Sequence, residues 1–236
     1  MTKIVLALNV DSEHKALEMY ESIGTRVDCW KIGIDLFART GPALVRDFVR
    51  RKADVFLDLK YSDIPSVVAK AVTAASDLGV AMLTVHTMGG PEMLRAAAGA
   101  AAAAPGRKPL VLGVTVLTSL DEAALERVSG LRQPVAERVQ ALALMARECG
   151  CGGVVSSPQE VAVLRQALGP DFAIVTPGIR LGPAKAGDDQ ARTLTPAEAA
   201  RAGASYIVVG RPIYEAKNPE KVIAEIRAQL GGIDGK

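Results

Sequence analysis

The residues with the clearest chemical capacity lie in Asp58-Leu59-Lys60-Tyr61-Ser62-Asp63. In a strand, residues i and i+2 share a face, so Asp58 and Lys60 point the same way. At the mouth of a site they would set a carboxylate and an ammonium against one substrate. Asp63 falls where a helix starts, and a carboxylate suits that positive end. The same spacing also describes an ordinary ion pair at a strand end followed by a capping aspartate, and on spacing alone the two readings stand level. Cys29-Trp30-Lys31-Ile32-Gly33 sets a lysine in an apolar run, which is costly unless the charge is paired. Either the stem packs and the head reaches water, or Lys31 is a second cation in a Lys-Asp-Lys-Asp array, where flanking carboxylates keep each lysine protonated. Gly210-Arg211-Pro212 offers backbone N–H groups, a helix start and a guanidinium, the parts of a phosphate site. It gains weight from Gly178-Ile179-Arg180 after the preceding strand. Asn9 can bond a sugar hydroxyl, although alone it reads as a turn residue before Asp11-Ser12. Thr118 suits the polar edge of a heterocycle or a helix cap. His86 reads as a hydrogen-bonded structural histidine.

These residues need elements to hold them. Short, almost wholly apolar runs recur at Ile4–Val10, Cys29–Ile34, Asp54–Leu59, Ala81–His86, Leu110–Val116, Gly153–Val155, Phe172–Val175 and Tyr206–Val209. Such runs describe strands buried on both faces. Helix starts lie between them at Asp11-Ser12, Asp63-Ile64-Pro65, Ser157-Pro158 and Thr195-Pro196. Gly79, Gly169 and Gly203 suit helix ends. Ala96–Ala104 reads as a helix of small side chains stopped by Pro105-Gly106. A β-then-α unit repeated along 236 residues, with no linker, predicts a single-domain closed (β/α)8 TIM barrel over residues 1–236. An open doubly wound sheet is the second choice. In a barrel the chemistry belongs at the C-terminal ends of the strands, with phosphate after the last two. The long polar connection from Leu181 to Thr193, which carries Gln190, reads as a lid or binding loop.

Composition narrows the class. With 49% hydrophobic and 23% charged residues the chain can bury a core. Twenty-eight Lys+Arg against 26 Asp+Glu, net +2, make no case for nucleic acid or an anionic membrane, and 4% aromatics make none for base-stacking platforms. Cys29, Cys149 and Cys151 with His14 and His86 match neither a disulfide framework nor a structural zinc cluster. The N-terminal apolar run is too short for a signal peptide, and no run suits a membrane span. A reducing cytoplasm is the expected compartment.

Asp58-x-Lys60-x-x-Asp63-Ile64-Pro65 resembles the signature of the orotidine 5′-phosphate decarboxylase family, in its bacterial form. Lys31-Ile-Gly-Ile-Asp-Leu-Phe, Thr84-Val-His-Thr-Met-Gly-Gly-Pro-Glu-Met, Leu112-Gly-Val-Thr-Val-Leu-Thr-Ser-Leu, Val175-Thr-Pro-Gly-Ile-Arg180, Asp188-Asp-Gln-Ala-Arg-Thr and Val209-Gly-Arg-Pro-Ile213 are similar to family segments in the same order. The resemblance implies a homodimeric barrel that converts orotidine monophosphate to uridine monophosphate without metal or organic cofactor. By resemblance, Lys60 protonates C6, Asp58 faces the departing carboxylate, and Lys31 orients Asp58 and touches the ribose. Asp63 crosses the dimer interface into the neighbouring site. Thr118 meets the pyrimidine edge, and Arg180, Gln190, Gly210 and Arg211 belong to the phosphate end. Three departures stand out. Asn9 replaces the family's usual aspartate on the ribose side, which keeps the shape and loses the charge. Ser62 stands where bacterial members often have histidine, and the 181–193 loop is one residue longer than some.

The implied chemistry leaves a localised negative charge at C6, which a pre-positioned ammonium stabilises more in the transition state than in the ground state. The nearest rival, a hexulose-phosphate synthase or keto-gulonate-phosphate decarboxylase, resembles the same aspartate-lysine motif but works through magnesium. It tends to carry a glutamate where this chain has Lys31, and a protonated lysine cannot ligate magnesium. A catalytically silent nucleotide-binding protein is a rival of another class, favoured only by Asn9.

Overall fold

The computed structural model describes residues 1–182 and 193–231. In chain order the strands are β1 Lys3–Leu8, β2 Cys29–Gly33, β3 Val55–Tyr61, β4 Met82–His86, β5 Leu110–Val114, β6 Gly153–Val155, β7 Ala173–Thr176 and β8 Tyr206–Val209. They pair in parallel in sequence order, and β8 returns to β1, closing the barrel. The helices are α1 Glu13–Ile23, α2 Ile34–Arg50, α3 Pro65–Asp77, α4 Pro91–Ala102, α5 Glu122–Ser129, α6 Val135–Glu148, α7 Val161–Leu168, α8 Pro196–Arg201, α9 Arg211–Tyr214 and α10 Pro219–Gly231.

The closed barrel is the expected architecture, with local differences. The unit between β5 and β6 carries both α5 and α6, and β8 is followed by both α9 and α10. The helix after Ser157-Pro158 opens with a 3₁₀ turn over Pro158–Glu160 before α7 begins. The first strand stops at Leu8, which leaves Asn9 beyond its end. Several start signals work as expected. The Ser12 side chain caps α1, and Thr195 with Glu198 forms a reciprocal capping box on α8. Asp63 does not cap α3: Ile64 is the cap residue, and the Asp63 carboxylate accepts the neighbouring Ile64 N–H at 2.6 Å. The alanine run packs as α4, with Ala97 and Ala101 buried. Among the described residues, no helix is long and apolar enough to cross a membrane.

The barrel wall sorts its side chains by the two-residue period of a strand. Ile4, Leu6, Trp30, Ile32, Val55, Leu57, Leu83 and Val85 belong to the core between strands and helices. Val5, Ala7, Cys29, Phe56, Met82, Leu112, Val175 and Val208 form the separate core inside the barrel. Continuing that inner series toward the C-terminal ends reaches Asn9, Lys31, Asp58, Thr84 and Gly210. The apolar inner layers fill the lower barrel, and the polar members of the same rows come last.

Candidate active site

Those polar ends surround a cavity of about 280 Å³ at the C-terminal mouth. It is lined by Asn9, Lys31, Asp58, Lys60, Thr118, Arg180, Gly210 and Arg211, over an apolar wall that includes Val114, Val116, Val155 and Val208. Residues far apart in the chain thus meet in one place, as the barrel reading required. Gln190 lies outside the described residues.

Asp58 is the centre of the charged group. Its side chain is 11% exposed. Oδ2 lies 3.1 Å from Lys31 Nζ, and Oδ1 lies 2.8 Å from Lys60 Nζ. Burial pushes this carboxyl upward, but the two ammonium groups outweigh that cost and hold it below its ordinary value of 3.8. The alternative for Lys31, a packed stem with its head in water, is not what the structure contains: its side chain is 14% exposed and its charge is paired.

Asp58 and Lys60 share a side, but β3 is not regular there. Leu57 pairs with Leu83 and Tyr61 with Val85, so four steps along β3 match two along β4. The extra length is two residues, which preserves the alternation while bulging the strand. Lys60 sits in the left-handed region with φ 51°. For a residue with a Cβ that conformation costs of order 1–3 kcal/mol and persists only where neighbours hold it. The holding group is Thr84, whose hydroxyl accepts the Lys60 N–H at 2.9 Å and donates to Asp58 Oδ1 at 3.0 Å.

The residues expected at the phosphate come from the ends of β7 and β8. The backbone N–H of Arg180 donates to the Leu194 carbonyl at 3.0 Å, and that of Leu194 donates to the Gly178 carbonyl at 3.3 Å. These bonds tie together the two ends of the long 181–193 connection. Gly210 is the cap residue of α9, which begins at Arg211, one residue before the expected Pro212. A Cβ at Gly210 would come within 3.3 Å of Tyr214 and 3.6 Å of Ala7, so a larger residue would crowd the cavity floor.

Asp63 stands apart. It is exposed and is not among the cavity-lining residues of its own chain. His86 also differs from expectation: its Nδ1 is buried without a hydrogen-bond partner among the described residues. Burial and the nearby Lys60 charge push its imidazole toward the neutral form.

Thr84 and Ser156 are polar residues of the site to which sequence reasoning assigned no role. Thr84 reads from sequence as a β-branched strand residue, and its signal was its place two residues beyond Met82 in an inward row. Ser156, 1% exposed, lines the cavity and its hydroxyl has no hydrogen bond among the described residues. Next to Ser157-Pro158 it looks like part of a helix start.

A family model described as orotidine 5′-phosphate decarboxylase / HUMPS family matches residues 2–226. The chain belongs to that family. It is 44% identical over 228 residues to the orotidine 5′-phosphate decarboxylase of Legionella pneumophila strain Corby, covering 97% of this chain and 99% of that one. It is 45% identical over 232 residues to the enzyme of the same name from Moorella thermoacetica, covering 97% and 92%. The crystal structure of orotidine 5′-phosphate decarboxylase from Lactobacillus acidophilus superposes with a TM-score of 0.86 at 34% identity, covering 98% of this chain and 99% of that one.

Proposed function

We propose that this family member is a carboxy-lyase that converts orotidine 5′-monophosphate to uridine 5′-monophosphate in pyrimidine synthesis, acting in the cytoplasm. The observation that carries the reading is the buried Asp58 carboxylate held between Lys31 and Lys60 at the mouth of the barrel. The C6–carboxylate bond breaks, carbon dioxide leaves, and its electron pair remains on C6. Lys60 Nζ gives that carbon a proton and becomes a neutral amine. Asp58 faces the leaving carboxylate and, with Lys31, keeps the ammonium aimed at C6. The charges are already in place before the reaction, so little reorganisation is needed as the carbanion-like charge grows.

Arg180, Gly210, Arg211 and Gln190 take the phosphate, Thr118 the pyrimidine edge, and Asn9 and Lys31 the ribose. The phosphate does no chemistry, but its binding energy helps fix the substrate against the charged group and exclude water from it. The magnesium-dependent reading within the same family is disfavoured by Lys31, whose protonated ammonium cannot be a metal ligand. The enzyme acts as a homodimer in which Asp63 serves the neighbouring site. Its exposure in the single chain supports this, as do the exposed apolar side chains of Ile64 and Val67 beside it.

The test follows loss of orotidine absorbance with and without chelator, for wild type and Lys60→Ala. Turnover by wild type that survives chelator and is lost in Lys60→Ala supports the reading. Activity that collapses with chelator supports the magnesium-dependent one, and background activity supports a silent nucleotide binder. Mixing Lys60→Ala with Asp63→Ala subunits should restore part of the activity. Heterodimers without recovery would sink the shared site.

A further inference from the structure

The segment Asp58–Lys60 is held across the barrel wall by one side chain of the next strand. Thr84 is fully buried, and it is the β4 residue lying between Leu83 and Val85, the two partners that bracket the bulge. A hydroxyl has one proton to give and lone pairs to receive with. Here the Lys60 backbone N–H can only donate and the Asp58 carboxylate can only accept, so the direction of both bonds is fixed. The proton goes to Asp58 Oδ1 at 3.0 Å and a lone pair takes the Lys60 N–H at 2.9 Å. Other buried threonines behave differently: Thr87, Thr115 and Thr176 give their hydroxyl protons to the main-chain carbonyls of Val114, Val155 and Ser156.

The oxygen that Thr84 holds is the one that receives Lys60 Nζ at 2.8 Å. One hydroxyl therefore fixes both ends of the Lys60 geometry, the left-handed backbone at φ 51° and the carboxylate edge that anchors its ammonium. Thr84 does not line the cavity, so it reaches a substrate only through these two residues.

We propose that Thr84 is a positioning residue for proton delivery, holding the Lys60 backbone and the Asp58 carboxylate in the one arrangement that aims the ammonium at the reacting carbon. The assignment rests on the decarboxylase reading above. It implies a loss in turnover rather than in binding, because the groups that grip the nucleotide are untouched.

The experiment compares wild type, Thr84→Val and Thr84→Ser for kcat and KM on orotidine monophosphate, with a thermal melt of each. Valine keeps the shape and removes the hydroxyl, so kcat should fall roughly 10- to 100-fold, the effect of a charge-assisted hydrogen bond, with KM within about twofold. Serine keeps the hydroxyl and should hold kcat within about fivefold, a smaller loss than one such bond. If the valine protein fails to fold, Thr84→Ala set against Thr84→Ser makes the same comparison. An active wild type whose hydroxyl-free variants keep its kcat overturns the assignment alone, as does a folded serine variant that fails to recover. A wild type without decarboxylase activity overturns the parent reading, and this one with it.

Discussion

Both ends of this barrel are charged, and they use charge in different ways. At the N-terminal end of the strands several charged groups are closed off by their neighbours. Asp28 takes Arg227 at 2.9 Å and the Ile4 N–H at 2.7 Å, and Asp54 takes Arg107 at 2.6 Å. Arg165 spreads its guanidinium over the carbonyls of Phe172 and Gly203 and the Ser205 hydroxyl. At the C-terminal end a single carboxylate is shared by two lysines, with Arg180 and Arg211 on the same cavity wall. Among the described residues that line this cavity, Lys31, Lys60, Arg180 and Arg211 stand with one carboxylate, that of Asp58. The charges at the base thus staple elements together one by one, while at the mouth two ammonium groups converge on one carboxylate beside a cavity.

The contrast predicts that changes at the mouth cost activity and changes at the base cost stability. The largest effect is expected for Lys60→Ala, a loss in kcat of about 10⁴-fold or more, because the proposed reading has this one ammonium both donate the proton and stabilise the charge. Its melting temperature should fall only as far as the loss of one partner of Asp58 requires, with Lys31 still in place, and a single-turnover assay reads the chemical step directly. Arg211→Ala comes next, with kcat/KM down roughly 10- to 100-fold for lost charge-assisted bonds to phosphate. Unchanged kcat/KM would remove Arg211 from the phosphate site. Arg165→Ala should reverse the pattern, losing about 1.5–3 kcal/mol of stability as partly buried carbonyls lose a charged donor, while kcat at room temperature holds. A large kcat loss there would break the division between the ends.

Acid sharpens the comparison. The Asp58 carboxyl titrates below its ordinary value of 3.8 in the folded chain. Its ionisation therefore contributes stability that is complete above the unfolded value and is lost as pH falls through the lower folded one. Chemical unfolding of wild type and Asp58→Asn should show the gap between them shrinking in that acid window, and a constant gap would mean that the lysines do not hold the carboxylate. The smallest effect is expected for Arg107→Ala. Its pair with Asp54 is about half exposed on both sides, and such pairs contribute about 0–1 kcal/mol.

Much of this was legible in the sequence because it depends on short-range periodicity. Buried strands betray themselves as apolar runs, and the two-residue period already set Asp58 and Lys60 on one side. Lys31 was legible because a charge in an apolar strand needs a partner. The helix start at Thr195-Pro196 was legible because a hydroxyl and a proline stand at fixed offsets, whereas the reciprocal box with Glu198 came from the structure. Asp63 misled as a possible cap, since its carboxylate bonds the adjacent N–H instead of reaching into the first turn. The pair of helices between β5 and β6 was missed where a single crossover was expected.

The sequence by itself determined the barrel, the family resemblance and the identity of the charged residues, because each is written in local pattern or in an ordered set of motifs. Tertiary structure alone decided how those charges are held. Strand register is a property of two strands together. Neither β3 nor β4 read alone reveals that the stretch from Asp58 to Lys60 bulges opposite Thr84, that Lys60 adopts a left-handed backbone, or that one threonine hydroxyl joins the two.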